Sequence, residues 1–452
     1  MKIGNKRRRL KRQALCSLAA LLLWAMLDVV PFSATAGWAE SIPGNVGGHL
    51  RIYGSLSHVS DDAWLTAVGD RTLTDSAGEL RLTWRNNFSQ QLSFTAHYEN
   101  RISGGDTRSG QQVFLDRFPL LAGTVLVQQS GPEDDRRLFD LTGHLDEDDD
   151  FLWYHRLDRL FFGWNAESLD VRVGRQAVTW GNGLVFNPMD LFNPFAPTDL
   201  VRDYKTGDDL LSVEITRSWG SLNLLYVPRR DPLDHSVSWH HSSLAAKYHF
   251  ALAGLEMDFM TGRHYRDLVA GIGLNGYLGA AAWRLDAVLT IPDDDDGLWT
   301  GGKDHRPYLS VVANADLSWI WFDKNWYGFL EVYYNGLMSD DYVRDTAVPY
   351  ISERLARGDL YSLGRFYTAA TVQFEAHPLL NVFLTAVTNL NGPSGVLLPR
   401  IIFDVTQNGQ ITLGGSLNWG KHGTEYGGWE IPYTGLDISP ADTVYLRATR
   451  FF

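Results

Sequence analysis

Along most of the chain, apolar and polar side chains alternate with a period of two residues. In 79–85, Leu80, Leu82 and Trp84 fall on one face, and charged or hydroxyl side chains fall on the other. The same alternation recurs elsewhere, in 91–99, 283–289, 325–335 and 411–419. Because successive side chains of a β-strand point to opposite faces, this pattern predicts strands with one apolar and one polar face.

Eighteen candidate strands follow from this alternation. They are 48–58, 78–87, 90–101, 153–164, 168–176, 209–219, 220–229, 240–251, 253–263, 265–278, 279–291, 307–322, 325–337, 361–376, 379–390, 395–406, 409–420 and 441–452. Their typical length is near the roughly 9–11 residues that a tilted strand needs to cross a membrane. Strands of soluble proteins are shorter, about five or six residues on average.

The connections between these strands fall into two classes. Very short turns follow the even-numbered strands, and all the long connections follow odd-numbered ones: 59–77, 102–152, 177–208, 292–306, 338–360 and 421–440. Long loops at one end and tight turns at the other are typical of outer-membrane barrels. We therefore predict an all-β fold, a transmembrane antiparallel β-barrel of about 16–18 strands with long external loops and one inward-folded loop.

The composition agrees with such a barrel. The 452 residues are 44% hydrophobic and 13% aromatic, yet the mean hydropathy is only -0.18. An average near zero is expected when every second residue meets lipid and the others meet water. The chain has a single cysteine, which excludes a disulfide scaffold and a zinc site built on several thiolates. No metal site and no cofactor are predicted.

The first 36 residues have the features of a secretory signal peptide. Seven Lys and Arg residues in 1–12 precede an apolar run over 14–27, and Ala34-Thr35-Ala36 fits the small-x-small cleavage pattern. We expect cleavage after Ala36, a short periplasmic segment over 37–47 and the barrel over 48–452. Cleavage would remove seven basic groups and one acid, which changes the net charge from -13 to -19. Such an excess of acids argues against nucleic acid as a partner, because that requires a basic face.

The C-terminal strand predicts the route of assembly. Residues 444–452 alternate and end on Phe452, which resembles the C-terminal signature that the barrel-assembly machinery reads in Gram-negative outer-membrane proteins. Val444, Leu446 and Ala448 fit the outward register, whereas Arg450 stands where an aromatic residue is usual. The expected location is therefore the Gram-negative outer membrane, surrounded by lipid and lipopolysaccharide.

Charged side chains on the polar faces are the candidate permeation residues. Opposed charges inside a lumen can select permeants by charge and size, and they can also pair across strands and simply fill the interior. The candidates, which are of mixed sign, are Arg81, Arg85, Glu99, Arg172, Arg175, Glu214, Lys247, Glu256, Asp258, Arg284, Asp286 and Glu331.

The connection 177–208 is unusually apolar and rich in proline. Two Asn-Pro pairs exclude a central strand and a regular helix, and the Trp-Gly-Asn-Gly sequence at 180–183 predicts a turn. A loop of this kind either folds into the barrel and narrows the lumen, or packs on the rim. The candidate constriction residues are Trp180, Asn182, Asn187, Pro188, Asp190, Asn193, Pro194, Arg202 and Asp203.

The same segment carries a resemblance to a known family. Gly-Arg-Gln at 174–176, Trp-Gly at 180–181 and Asn-Pro-x-Asp at 187–190 resemble the porin and alginate-export-like group of proteobacterial outer-membrane barrels. The resemblance covers about residues 168–208 and implies a channel. Alginate exporters are expected to have a strongly basic lumen. The mixed inward charges here therefore argue against an alginate-like polyanion as the permeant.

These features predict a porin-like channel that passes a hydrophilic or amphiphilic solute passively. Two alternatives stay open, namely an outer-membrane component of an export or lipid-handling assembly with a periplasmic transport partner, and a barrel hydrolase. His240-His241 and Ser242-Ser243 suggest the hydrolase, but the chain lacks a Gly-x-Ser-x-Gly elbow and a His-Glu-x-x-His zinc motif. No enzyme activity is predicted, and the sequence leaves the oligomeric state open.

Overall fold

The structure is a computed structural model that describes residues 43–68, 71–118, 131–192, 204–293, 306–431 and 434–452. The expected signal peptide and four constriction candidates, Asn193, Pro194, Arg202 and Asp203, lie outside the described residues. The strands are β1 Asn45–His58, β2 Thr72–Asn87, β3 Leu92–Gly105, β4 Thr142–Asp148, β5 Phe151–Ala166, β6 Leu169–Gln176, β7 Asp208–Arg217, β8 Gly220–Val227, β9 Ser243–Leu252, β10 Leu255–His264, β11 Asp267–Leu278, β12 Ala281–Ile291, β13 Tyr308–Trp321, β14 Lys324–Asn335, β15 Phe366–His377, β16 Leu380–Asn389, β17 Ser394–Thr406, β18 Gly409–Gly420, β19 Trp429–Ile431, β20 Leu436–Ile438 and β21 Asp442–Phe451. The α-helices are α1 Asp106–Arg117, α2 Tyr342–Ala347 and α3 Pro349–Ala356, and Trp64–Val68 form a 3-10 turn.

Eighteen of these strands form one closed antiparallel barrel. Consecutive barrel strands pair in order, and β21 pairs with both β18 and β1, which closes the ring. Strand β4 stands outside this ring and pairs with 151–156 of β5, while 160–166 of β5 pair with β6. Strands β19 and β20 form a separate hairpin. The predicted transmembrane antiparallel barrel is therefore confirmed, at the upper end of the predicted strand number.

Each of the eighteen predicted strands corresponds to one barrel strand. The largest differences lie at strand starts: β2 begins at Thr72 instead of 78, and β15 begins at Phe366 instead of 361. Strands β4, β19 and β20 and the three helices, which lie in the long connections, were not predicted. The short turns and both ends of the barrel chain lie at one end of the barrel, which is the periplasmic end in barrels of this type.

The outward face of the barrel carries a belt of exposed apolar side chains. Its members include Leu92, Phe162, Leu211, Leu224, Phe259, Leu289, Leu330, Leu384, Leu413 and Leu446. Indole rings mark the turn end of the belt, where Trp319 and Trp326 stack at 6.2 Å next to Trp321. A continuous apolar belt with Trp at its edge is the surface expected of a barrel in a bilayer.

None of the helices in the described ranges is long and apolar enough to span a membrane.

Candidate functional site

The connection after β6 turns into the barrel instead of following its rim. Its described parts are 177–192 and 204–207. Trp180, Met189, Leu191 and Phe192 are buried against inward-facing side chains of the wall, which are Leu210, Leu225, Val227, Ala245, Met260, Val269 and Val288. Phe186 stacks on Tyr333 with ring centroids 4.7 Å apart, and it also contacts Tyr367. The apolar side chains of this loop thus pack on the wall from β7 to β15.

Residues 182–186 of the loop, here called the outgoing limb, are anchored first on Glu331 of β14. The Glu331 carboxylate accepts hydrogen bonds from the backbone N–H groups of Leu184 (2.7 Å), Val185 (3.0 Å) and Phe186 (2.7 Å). The Asn314 side-chain amide donates a fourth hydrogen bond at 3.1 Å. Glu331 is completely buried, so these four donors replace the water that its charge would otherwise require.

A second wall carboxylate, Asp286 of β12, holds the start of the same limb. It accepts the backbone N–H of Asn182 at 2.6 Å and the Asn182 side-chain amide at 2.8 Å. The tight turn before this contact needs Gly181, whose φ of 88° lies in the left-handed region that favours glycine. A Cβ atom at 181 would also collide with Asn187 and Met189. The glycine predicted to form a turn is therefore required both by its backbone angle and by close packing.

The loop returns along the opposite wall. Its described end, Tyr204 and Lys205, is here called the returning limb. The Tyr204 hydroxyl donates to Glu99 of β3 at 2.7 Å, and the Arg81 guanidinium lies 3.6 Å from the centroid of the Tyr204 ring. Arg159 of β5 donates to the backbone carbonyl of Lys205 at 2.5 Å. These contacts place the returning limb on β2, β3 and β5.

The returning limb covers a network of buried ion pairs on the inward faces of β1, β2, β3 and β5, here called the ionic wall. Its acids each have a basic partner: Glu79 with His49 (2.8 Å) and Arg101 (3.4 Å), Glu99 with Arg156 (2.8 Å), and Asp158 with Arg81 (2.7 Å). Glu99 and Asp158 are at most 1% exposed. Because buried ions are costly unless they are paired, these charges hold one another and the loop in place.

Within the loop, Asp190 and Lys205 form an ion pair that joins its two described parts. Asp190 is 4% exposed. Burial is the largest influence on this carboxyl group and raises the pKa of Asp190 to about 6, although the charge of Lys205 acts in the opposite direction. Asp190, a predicted constriction residue, therefore changes its charge near neutral pH.

The remaining permeation candidates differ in exposure. Arg85, Arg172 and Glu256 are exposed, and Glu214, Lys247 and Arg284 are half-buried. Several of them are paired: Arg172 with Asp170 (2.8 Å), Lys247 with Asp258 (3.5 Å), Glu256 with His249 (2.9 Å) and Arg284 with Asp316 (2.5 Å). Glu99, Asp286 and Glu331 lie beneath the loop. Their carboxylates therefore hold the loop and do not face a passing solute.

Arg175 departs from its predicted position on an open lumen. It is 2% exposed and enclosed by β6, β7 and the segment 131–141. Its guanidinium donates to Asp209 (2.9 Å), to Asp134 (2.9 Å) and to the backbone carbonyl of Phe139 (2.6 Å). Every direction from this group is therefore occupied by protein, and Arg175 cannot contact a solute.

A serine, a histidine and an aspartate meet near the long-loop end of the barrel. The Ser243 hydroxyl lies 3.2 Å from Nδ1 of His264, and Nε2 of His264 lies 3.5 Å from Asp359. This order is that of a hydrolytic triad. However, Ser243 is completely buried, and its oxygen already accepts hydrogen bonds from Arg229 (2.7 Å) and from the backbone N–H of Tyr265 (3.1 Å). The cluster thus ties β9 and β10 to an external loop, and the Ser243 oxygen, which would have to be the nucleophile, is enclosed by its donors.

Metal binding finds no support in the part of the chain that the structure describes, where no group of three or more His, Cys, Asp or Glu residues could hold an ion.

Comparison with known proteins places this architecture among solved barrels. No protein-family model and no curated protein matches the chain. OccAB3 of Acinetobacter baumannii matches 90% of this chain and 98% of its own, with a TM-score of 0.50 and 9% identity. OccAB2 of the same organism covers 90% and 97% with the same TM-score and identity. A BenF-like porin from Pseudomonas fluorescens covers 90% and 98% at 10% identity, with a TM-score of 0.48.

At 9% identity, the likeness to the two Occ proteins shows a shared barrel fold. It extends over nearly the whole length of those proteins. The resemblance to the alginate-export-like group is not among these likenesses and stays a prediction.

Proposed function

We propose that the protein is a channel of the Gram-negative outer membrane through which a hydrophilic or amphiphilic solute diffuses passively. The observation that carries this proposal is a closed 18-stranded barrel with a loop anchored on two opposite inner walls. A barrel of this size encloses an aqueous bore unless loops fill it. A loop that is fixed inside, and not on the rim, would set the width of that bore.

The inward charges favour a solute without a high charge of its own. Basic and acidic side chains are mixed along the walls. Several buried ones are paired with one another, whereas Asp286 and Glu331 accept hydrogen bonds from the loop. An alginate-like polyanion, which the family resemblance would imply, would require a surplus of free basic groups. A neutral or amphiphilic solute requires none, and we therefore favour it.

Reconstitution of the purified protein in planar bilayers tests the channel. We expect stable single-channel conductance, and a folded barrel that remains silent would contradict the proposal. Deletion of 187–203 should raise the conductance if the loop narrows the bore, and an unchanged conductance would contradict the constriction. A matched control shortens the external connection 292–306, which should leave the conductance of the bore unchanged.

For assembly, we propose that the barrel-assembly machinery recognises the C-terminal strand. Phe452 is 43% exposed, and its backbone exchanges hydrogen bonds of 2.9 and 3.1 Å with Gly48 at the seam where the barrel closes. Val444 and Leu446 of the same strand are also exposed on the lipid face. Deletion of Phe452 should lower the amount of folded barrel in the outer membrane, measured by heat-modifiable migration on gels, relative to an Arg450→Lys control.

A further inference from the structure

A pocket with a cavity volume of about 90 Å³ lies on the loop side of the barrel, directly above the outgoing limb. Residues 185–191 form its floor, β12, β13 and β14 form one wall, and 354–362 form the other. This volume is below the range of about 300–1,000 Å³ that is usual for sites enclosing a whole drug-sized molecule, so the pocket can receive only part of a solute. A solute that enters from the long-loop end would meet this pocket before the constriction.

The lining of the pocket combines aromatic rings with neutral polar groups. The rings belong to Phe186, Tyr308, Tyr333 and Tyr361, and the hydroxyl and amide groups to Thr290, Ser310, Asn335 and Ser362. Phe186 and Tyr333 stack on each other, so the lining offers their ring edges, the exposed ring of Tyr361 and, beside them, groups that can donate or accept hydrogen bonds. It suits a ring-shaped solute that carries many hydroxyl groups.

The charged groups that line the pocket already have partners of opposite charge. These pairs are Arg354 with Asp267 (2.8 Å), Asp359 with Arg357 (2.8 Å), and Asp190 with Lys205. A charged solute would have to compete with these buried pairs or remain unpaired itself, and both are costly. A neutral solute leaves the pairs intact.

Polar atoms without a partner point to a missing polar ligand. Asn335 is 1% exposed, and its side-chain oxygen accepts the backbone N–H of Leu337 at 3.2 Å. Its Nδ2 atom has no hydrogen-bond partner among the residues that the structure describes, and the same holds for Oδ1 of Asn187 and Nε of Arg354. Buried polar groups are normally satisfied, so these atoms call for hydroxyl groups of water or of a solute.

We propose that this pocket binds a neutral, polyhydroxylated solute through a single sugar-like ring. The ring of the solute packs on the aromatic side chains, and its hydroxyl groups bond to Asn335, Thr290 and Ser362. The inference rests on the proposed channel function, since it identifies the class of solute that the channel would pass.

Equilibrium dialysis on the folded, detergent-purified protein tests this site with three probes that share one ring: glucose, glucosamine and glucuronate. They are neutral, cationic and anionic, respectively. We expect glucose to bind saturably and at least tenfold more tightly than either charged analogue. Thr290→Val, which keeps the size of the side chain and removes one hydroxyl, should weaken glucose binding about fivefold.

The matched control is Thr371→Val, which removes an inward-facing hydroxyl that bonds to Thr385 at 2.7 Å, outside the pocket. It should leave glucose binding unchanged. The inference is overturned by no saturation up to about 100 mM glucose, by equal binding of the three probes, or by equal effects of the two variants. Conductance is measured on the same samples. A silent barrel that binds glucose contradicts only the channel, and a conducting barrel that does not bind glucose contradicts only the pocket.

Discussion

The two limbs of the internal loop are held by opposite kinds of contact. On the outgoing limb, the loop contributes mainly backbone N–H groups, and the wall contributes the carboxylates of Asp286 and Glu331. On the returning limb, the loop contributes the backbone carbonyl of Lys205, which accepts from Arg159, and the side chain of Tyr204, which meets a carboxylate already committed to Arg156. The contacts of the outgoing limb depend mainly on which side chains the wall carries. The contact of Tyr204 depends on the side chains of both the wall and the loop.

This difference determines where each limb is vulnerable. Backbone donors exist whatever the loop side chains are, so the backbone anchoring of the outgoing limb is kept after a loop substitution but is lost with a wall carboxylate. The returning limb has the reverse sensitivity, because removal of one hydroxyl from the loop breaks its bond while the ionic wall keeps its own pairs. Substitutions on the two limbs therefore test the comparison directly.

Release of the loop can be measured without reference to conductance. Met189 of the loop is completely buried, and the only cysteine of the chain is Cys16 in the expected signal peptide. A single thiol introduced as Met189→Cys in a Cys16→Ser background reports release as a faster reaction with a maleimide. The ratio of labelling rates between variants gives the change in the free energy of loop release.

The largest effect is expected for Glu331→Ala. It leaves three buried backbone N–H groups and one amide without an acceptor, which we expect to favour loop release by about 3–5 kcal/mol. Thiol labelling should accelerate by two orders of magnitude or more, and a wider conductance level should dominate. Glu331→Gln keeps one acceptor oxygen and should fall between wild type and Glu331→Ala. Equal behaviour of the two variants would contradict the anchoring role.

A smaller effect is expected for Asp286→Ala, because Asp286 holds one backbone and one side-chain donor of Asn182. We expect about 2–3 kcal/mol in favour of loop release. Asn182→Ala sharpens the comparison, because it removes the side-chain donor but retains the backbone N–H. Its effect on the free energy of loop release should therefore be about half that of Asp286→Ala. If Asn182→Ala accelerates labelling as much as Asp286→Ala does, the outgoing limb is not held through its backbone.

On the returning limb, Tyr204→Phe removes the hydroxyl that bonds to Glu99 and keeps the ring beneath Arg81. A hydrogen bond to a buried charged group is worth about 2 kcal/mol, so labelling of the reporter thiol should accelerate roughly thirtyfold. Val185→Ala on the outgoing limb is the matched control, since it keeps the backbone donor and should change the rate far less. A larger acceleration of labelling in Val185→Ala than in Tyr204→Phe would contradict the proposed difference between the limbs.

The barrel is predictable from the sequence because its signal is local. Alternation over about ten residues fixes a strand and the face of each side chain, and the inward register of Asp286 and Glu331 follows from it. The signal fails where the backbone departs from period two. Asp158 is an example, because a bulge opposite His97 and Tyr98 places an extra residue in β5 and shifts the parity of the strand.

The anchoring of the loop is not predictable in this way. Glu331 and Phe186 are 145 positions apart, and no pattern in either segment indicates a contact with the other. Alternation indicates that Glu331 faces inward but not that three backbone groups cover it. Tyr204 and Lys205 lie in a stretch without period, so no sequence signal distinguishes them from surface residues. The sequence does not indicate that Arg175 is enclosed by protein, because its partners come from an irregular segment, 131–141, and from the start of β7.

The smallest expected effect concerns pH and the ion pair between the two described parts of the loop. Because burial raises the pKa of Asp190 to about 6, the seated loop binds this proton more tightly than a released loop, in which the carboxyl returns to about 3.9. The resulting stabilisation is complete below about pH 4 and is lost as the pH rises through 6. Between pH 5 and pH 8, the seated loop should lose about 1.4 kcal/mol of stabilisation.

The ratio of the wide to the narrow conductance level should therefore rise about tenfold from pH 5 to pH 8. Asp190→Asn cannot titrate and should show a flat profile over this interval, whereas Tyr204→Phe should shift the whole profile and keep its slope. These two results together would assign the pH dependence to the Asp190–Lys205 contact and not to the other contacts of the returning limb. A slope of the opposite sign would mean that the charge of Lys205, and not burial, dominates the environment of Asp190.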